Sequence, residues 1–159
     1  MMIRIVSVGK IKEKYFVAAI EEYKKRLSAY TLVEFIEVPD EKIPVNASLK
    51  EEEIVKRKEG ERVLSKIKDT DYVILLDVYG KEIDSVEFST SLSNKMTRGI
   101  SSFTFVIGGS LGLSDELRNR ANEKMSLSKM TFTHQFCKVI LLEQIYRAFK
   151  IMKGETYHK

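Results

Sequence analysis

Hydrophobic and polar residues alternate in blocks along the chain, first as a short apolar run and then as an amphipathic stretch. Met2–Val8 is rich in β-branched residues and stops at a glycine, which predicts a buried strand. Thr31–Val38 alternates between apolar and polar residues and ends before a proline, as expected of a second strand. Between them, Lys14–Tyr30 is predicted to be an amphipathic helix. Its apolar residues recur at spacings of four, three and four: Phe16, Ile20, Tyr23 and Leu27.

The rest of the chain continues this alternation. After the polar loop Asp40–Ala47, Ser48 and Glu51 have the spacing of a capping box and predict a charged helix that runs to about Ile67. Asp71–Val78 is a nearly continuous apolar run, which is typical of a parallel strand covered on both faces. The remaining predicted elements are a helix over Ser85–Arg98, a strand over Ser102–Ile107, a short helix capped by Ser114, a strand over Lys124–Met130 and a helix over His134–Met152.

This order of elements predicts one α/β domain over residues 1–159, with a parallel sheet and helices on both faces. Ligands bind such folds beyond the carboxyl ends of the strands, so the glycine turn after Ile107 is a candidate site. Its Gly108-Gly109-x-x-Gly112 spacing matches neither a dinucleotide fingerprint nor a phosphate-binding P-loop. It is either a tight turn or a place where the backbone approaches a ligand that lacks phosphate.

The composition narrows the classes of protein further. The single cysteine, Cys137, excludes a disulfide framework and a multi-cysteine zinc site, and two histidines leave little for a metal centre. No signal peptide or membrane-spanning segment is visible, so we expect a cytoplasmic protein without a membrane partner or a bound metal.

Positive charge is concentrated at the end of the chain. The net charge of the whole chain is only +4, but residues 118–159 hold nine lysines and arginines against three glutamates. Such a segment attracts phosphate-bearing partners, or else it is a solvated helix face.

The last predicted helix is apolar over more than one stripe. One stripe holds Phe136, Val139, Leu142, Tyr146 and Phe149, with Ile140, Leu141 and Ile145 beside it. This wide apolar surface predicts contact with a second subunit, because a helix at the surface of one domain needs only one apolar stripe. The alternative is a helix deep in one core, which suits its charged residues poorly: Lys138, Glu143, Arg147 and Lys150. Taken alone, His134 is read as structural, Cys137 as packing, and the terminal Tyr157-His158-Lys159 as a frayed end.

Three stretches together resemble one family. The first is Leu75-Leu76-Asp77 with Gly80-Lys81 and the later run Phe105–Leu113; the second is Ser126–Gln135; the third is Leu141–Ala148 with the closing Tyr157-His158-Lys159. Over essentially the whole chain, this is similar to the ribosomal RNA large subunit methyltransferase H family of the SPOUT (α/β-knot) superfamily. The sequence departs from the family's usual residues at Ser110, Lys138 and Thr156.

The resemblance implies a homodimeric enzyme that uses S-adenosyl-L-methionine to methylate N3 of a pseudouridine in helix 69 of 23S rRNA, on assembled ribosomes. It also implies a C-terminal trefoil knot, which breaks the usual rule against threaded chains. The positions that match the family's cofactor-binding residues are Leu76, Gly108, Leu127, Ser128, Lys129, Met130, Thr131 and Phe132. Those that match residues around the target base are His134, Glu143, Arg147, Tyr157 and His158.

The chemistry of the implied substrate suggests roles for these side chains. The N3–H of a uracil-type ring has no free lone pair until its proton leaves, so His134 or His158 is expected to accept that proton. Arg147 would stabilise the resulting anion, and Tyr157 would stack on the base or hydrogen-bond to it. The alternatives are a non-catalytic ribosome-associated RNA-binding module and a small-molecule nucleotide enzyme, which the missing phosphate motifs disfavour.

Overall fold

A computed structural model describes all residues, Met1–Lys159, and shows five strands alternating with five helices. The strands are β1 (Met2–Val8), β2 (Leu32–Val38), β3 (Tyr72–Glu82), β4 (Ser102–Ile107) and β5 (Glu123–Ser126). The helices are α1 (Lys14–Leu27), α2 (Leu49–Leu64), α3 (Ser85–Thr97), α4 (Asp115–Arg120) and α5 (His134–Met152). All strand pairs are parallel, in the order β2-β1-β4-β3-β5, so the predicted α/β class is confirmed. The trefoil knot stays a prediction.

Alternate side chains of the strands point to opposite faces of the sheet and form two apolar layers. Ile5 and Phe105 belong to the layer built with residues of α1, α3 and α5, whereas Val6 and Val106 belong to the layer built with residues of α2 and α4. Helices therefore cover both faces, as the continuous apolar strands predict.

Local capping chemistry begins the helices where the sequence predicts. Ser48 and Glu51 form the expected capping box at α2, and the Ser114 hydroxyl accepts a hydrogen bond of 3.2 Å from the Leu117 amide at α4. Asp84 and Glu87 form a second capping box, which begins α3 at Ser85.

Several predicted boundaries are wrong. β3 does not end at Val78: after a register shift between Leu76 and Lys81 it pairs again with β5 through Glu82. β5 ends at Ser126 rather than Met130, because the Ser126 hydroxyl donates to the Ser128 carbonyl and turns the chain into a loop. α1 and α2 also end earlier than predicted, at Leu27 and Leu64, since the residues that follow form tighter turns.

Lys138 is one of the charged residues that were expected to suit a helix deep in one core poorly, and for this residue the expectation is wrong. Its side chain is fully buried, with Nζ 3.5 Å from Oε2 of Glu37 and 3.5 Å from the Gly9 carbonyl. Burial lowers the pKa of Lys138, and the Glu37 carboxylate opposes that change.

α5 packs against α1 and α3, and buries Leu141, Leu142 and Ile145 in the core of one chain. The wide apolar surface of α5 therefore does not by itself require a second subunit.

No helix is long and apolar enough to cross a membrane. No group of three or more His, Cys, Asp or Glu side chains is placed to hold a metal ion.

Candidate functional site

A cavity of about 620 Å³ lies at the carboxyl ends of β3, β4 and β5. Its walls are Asp77–Tyr79, at the register shift within β3, and two segments that follow β4 and β5: Gly108–Leu113 and the loop that runs from Leu127 to His134. This is the edge where parallel α/β sheets bind ligands, and the volume is in the range of small-molecule and cofactor sites.

Most residues implied by the resemblance to bind cofactor line this cavity. Lys129 is the exception: it lies in the same loop, but its side chain is exposed and it does not line the cavity. The seven that do are Leu76, Gly108, Leu127, Ser128, Met130, Thr131 and Phe132.

The glycine turn after β4 brings backbone directly to the cavity wall. A Cβ on Gly108 would lie 2.9 Å from Cδ2 of Leu113 and 3.0 Å from the Gly112 carbonyl oxygen, so no larger residue fits without moving the loop. Gly112 itself has φ near +95°, where side chains are strained. The turn is therefore tight, and its backbone lies in the cavity wall. The approach of this backbone to a ligand stays a prediction.

The cavity wall contains an ion pair whose two residues were given no role from the sequence. The Nε of Arg118 on α4 donates to Oδ2 of Asp77 at 3.1 Å, and both residues line the cavity. The signal for Asp77 was an acidic residue near the end of an apolar run. Arg118 is not distinguished in the sequence from its basic neighbours.

The mouth of the cavity holds exposed apolar and aromatic side chains. Tyr79 is 88% exposed and Met130 74% exposed, although both line the cavity, and Phe132 beside them is also exposed. Uncovered apolar surface of this kind is typical of a site that a ligand or another chain covers.

His134 lies at the first turn of α5, against the loop that follows β1. Its Nε2 is buried and has no hydrogen-bond partner, and a Cβ on Gly9 would lie 3.4 Å from it. Burial lowers the pKa of His134, and the nearby charge of Lys138 lowers it further. The imidazole therefore favours its neutral form, which can accept a proton.

The other four residues implied to surround the target base form one cluster farther along α5. Glu143 Oε1 accepts hydrogen bonds from Arg147 Nε at 3.0 Å, from Arg147 Nη2 at 2.5 Å and from the Tyr157 hydroxyl at 3.0 Å. Arg147 also contacts His158 Nδ1 at 3.2 Å and lies over the Tyr157 ring, 4.7 Å from its centroid. An arginine can only donate, so in a hydrogen bond with it Nδ1 of His158 is the acceptor.

The end of the chain is ordered against the helices, so the expectation of a frayed end is wrong. The Tyr157 ring packs edge-on against Tyr146 at 5.0 Å. Glu155 accepts from the Tyr30 hydroxyl at 2.9 Å and from Lys150 at 2.6 Å. Burial and the hydrogen bond to Glu143 raise the pKa of Tyr157 to about 12, so its hydroxyl stays a donor at neutral pH.

His134 and the Arg147 cluster are far apart within one chain. They lie 13 positions apart on the same helix, which at 1.5 Å per residue is about 20 Å along the axis. This separation between backbone positions is much longer than a pyrimidine base.

The positive charge of residues 118–159 is partly neutralised in the structure. Four of its nine basic side chains form ion pairs: Arg118 with Asp77, Lys138 with Glu37, Arg147 with Glu143 and Lys150 with Glu155. Four lysines remain exposed without an ion pair: Lys124, Lys129, Lys153 and Lys159.

Known proteins resemble the chain over its full length. A family model described as predicted SPOUT methyltransferase matches residues 1–158. The ribosomal RNA large subunit methyltransferase H of Clostridium botulinum (strain Kyoto / Type A2) is 60% identical over 159 residues, covering all of both chains. The protein named ribosomal RNA large subunit methyltransferase H 1 in Clostridium perfringens (strain SM101 / Type A) is 58% identical over the same span.

A solved structure supports the fold separately. A probable methylase family protein from Haemophilus influenzae Rd KW20 superposes with a TM-score of 0.56 at 12% identity, covering 99% of this chain and 70% of that one. Full-length coverage by the family model and by relatives near 60% identity leads to one conclusion: the chain belongs to the ribosomal RNA large subunit methyltransferase H family of SPOUT methyltransferases.

Proposed function

We propose that the chain transfers a methyl group from S-adenosyl-L-methionine to N3 of a pseudouridine in helix 69 of 23S rRNA, on assembled ribosomes. The observation that carries the proposal is the cavity at the carboxyl ends of β3, β4 and β5, lined by seven of the eight residues implied to bind cofactor. The names of the relatives support a large-subunit rRNA as substrate.

The cavity fits a nucleoside cofactor that lacks phosphate. Its wall offers exposed backbone at Gly108, apolar side chains at Leu76 and Leu127, and no phosphate-binding loop. S-adenosylmethionine supplies a methyl group on a sulfonium that needs no further activation. The task of the protein is therefore to align the donor with N3 and to exclude water.

Methylation at N3 requires the N3 proton to leave, and two features of the chain suit this step. His134 lines the cavity with a buried, unpartnered Nε2 and a lowered pKa, so it is the favoured proton acceptor. Arg147, oriented by Glu143, presents a guanidinium that stabilises negative charge on the flanking carbonyls of the base. His158 lies beside it, in contact with the Arg147 guanidinium.

We propose that these two groups reach one base in a homodimer, in which the Arg147 cluster of one chain faces the cavity of the other. The separation of about 20 Å between their backbone positions along α5 supports this arrangement over a site within one chain. Exposed apolar side chains at the cavity mouth, Tyr79, Met130 and Phe132, are available for that contact.

The direct test measures methyl transfer from labelled S-adenosylmethionine to assembled 70S ribosomes, to free large subunits and to naked 23S rRNA, with the modified nucleotide identified by mass spectrometry. Incorporation at N3 of a helix 69 pseudouridine, highest on 70S ribosomes, is the expected result. Ribosome binding without cofactor affinity would instead identify a non-catalytic RNA-binding module. Methylation at another nucleotide would reject the target while keeping the methyltransferase.

A further inference from the structure

We infer that Arg118, held in the cavity wall by Asp77, binds the carboxylate at the amino-acid end of the methyl donor. The inference rests on the proposed function, because it concerns how that donor is held. Neither residue is among those that the family resemblance assigns to the cofactor.

The first argument is a match of charges. Arg118 is the one lysine or arginine that lines the cavity. His134 and Cys137 also line it, but burial lowers the pKa of the histidine and raises that of the thiol, so both favour their neutral forms. S-adenosylmethionine has one anionic group, the carboxylate, and a carboxylate in a concave site needs a charged or hydrogen-bonding partner. Arginine matches it geometrically, with parallel N–H donors.

The second argument is that Arg118 has donors to spare. A guanidinium has five N–H donors, and Nε alone is used by Asp77. The nearest other carboxylate oxygen, Oδ1 of Asp115, lies 3.8 Å from Nη1, which is longer than a hydrogen bond. The Arg118 side chain is 31% exposed and lines the cavity, so a ligand there has access to it.

The third argument is that Asp77 fixes the arginine in place. The Asp77 side chain is only 5% exposed; one oxygen accepts from Arg118 and the other from the Tyr79 amide at 3.1 Å. Asp77 is therefore a positioning residue that orients the guanidinium before a ligand arrives. A guanidinium held in this way loses less conformational freedom on binding than a free one.

The test compares three ligands by calorimetry. S-adenosylmethionine has the full amino-acid end, its decarboxylated form lacks only the carboxylate, and 5′-methylthioadenosine lacks that whole end. The wild type is expected to bind S-adenosylmethionine about 10- to 100-fold more tightly than the decarboxylated form, the range for a hydrogen bond between charged groups. Arg118→Met is expected to abolish this preference while binding 5′-methylthioadenosine as the wild type does.

Two further variants serve as controls. Arg120→Met removes the same charge from the same helix, but Arg120 donates to the carbonyls of Lys68 and Asp71 instead of lining the cavity, so the preference should persist. Asp77→Asn should weaken the preference less than Arg118→Met, because it loosens the guanidinium without removing it.

An unchanged preference in Arg118→Met would overturn the inference and leave the proposed function intact. If the wild type binds neither S-adenosylmethionine nor 5′-methylthioadenosine, the proposed function fails, and the inference fails with it. If Arg118→Met binds none of the three ligands, the comparison uses Arg118→Lys, which keeps the charge but loses the paired donors. If Arg118→Lys prefers S-adenosylmethionine over the decarboxylated form less than the wild type does, the inference is supported. If its preference equals that of the wild type, the inference is contradicted.

Discussion

The Tyr157 hydroxyl donates a 3.0 Å hydrogen bond to Oε1 of Glu143, which joins the last residues of the chain to the middle of α5. The same oxygen orients Arg147, so the position of the guanidinium depends on a contact with the chain terminus. The end of the chain is thereby built into the proposed base-binding cluster.

Tyr157→Phe removes this hydroxyl and keeps the ring packing against Tyr146. We expect methyl transfer to ribosomes to fall about tenfold, consistent with losing a hydrogen bond to a charged group, with an unchanged affinity for S-adenosylmethionine. Tyr72→Phe is the matched control, since its hydroxyl also donates to a glutamate, Glu123, but away from the cavity. Equal rates in the two variants would contradict the role of Tyr157.

The rate of methyl transfer should depend on pH through His134. A base must be neutral to accept a proton, and the folded protein lowers the pKa of His134 below its usual 6.5. The rate should therefore be flat above about pH 6.5 and fall only at more acidic pH, as the imidazole becomes protonated. His134→Gln should lower the plateau and remove this acidic limb. A wild-type limb that persists in His134→Gln would assign the proton acceptor to another group.

The same pKa shift affects stability. The unfolded chain binds a proton on His134 more readily than the folded chain does. The contribution of this group to the free energy of unfolding is therefore fully present above pH 6.5 and is lost as the pH falls below it. Urea unfolding of the wild type and His134→Gln at several pH values between 7 and 5 measures this contribution. The stability difference between the two proteins should change over that interval and be constant above it.

Glu37→Gln should destabilise the fold, because it leaves the fully buried Lys138 without its counter-charge. We expect a loss of about 1–2 kcal/mol, below the usual range for a buried pair, since the Glu37 side chain is itself 37% exposed. Lys138→Met should be close to neutral, and adding it to Glu37→Gln should recover most of the loss. Additive losses in the double variant, measured by denaturant unfolding, would show that the two side chains do not interact.

Gly108→Ala should weaken S-adenosylmethionine binding about tenfold or more, because the new methyl group would clash with Leu113 and displace the loop. Gly99→Ala is the control: it has φ near +96° and no atom within 4 Å of the added carbon, and it lies outside the cavity. That variant should lose about 1 kcal/mol of stability and keep its affinity. Similar affinities in both variants would place the cofactor elsewhere.

The proposed dimer predicts complementation between two inactive proteins. In a mixed dimer of His134→Gln and Arg147→Ala chains, one of the two composite sites has both native groups. After random exchange of subunits, about a quarter of the sites are therefore intact. Each variant alone should be inactive, and the refolded mixture should regain about a quarter of wild-type activity. No recovery, with mixed dimers confirmed by mass spectrometry, would favour a site within one chain.

Much of the fold followed from local patterns, and the exceptions have physical causes. Apolar runs and capping residues identified all ten elements, since the central strands are covered on both faces and each helix has a buried side. It missed the continuation of β3 to Glu82, because a strand that resumes after a glycine resembles a strand that has ended. Lys138 was misplaced because burial of a lysine depends on Glu37, which is distant in sequence.

The residues of the candidate site were likewise predictable from the sequence only in part. Residue types alone left His134, Tyr157 and His158 as ordinary structural residues, and the family resemblance was needed to associate them with a base. The cluster around Glu143 could not be predicted, because it depends on the return of the chain terminus to α5. The Asp77–Arg118 pair was missed because the two residues meet only when α4 folds over the end of β3.

The uninterrupted helix between His134 and Arg147 has a consequence for how such sequences can vary. One inserted residue would rotate Arg147 by about 100° around the helix axis and shift it by about 1.5 Å, removing it from Glu143 or from the facing site. A deletion would do the same in the opposite direction. Loops such as Asp40–Ala47 carry no such constraint. Among functional members of the family, we therefore expect changes in length to accumulate in those loops and to be absent between these two residues.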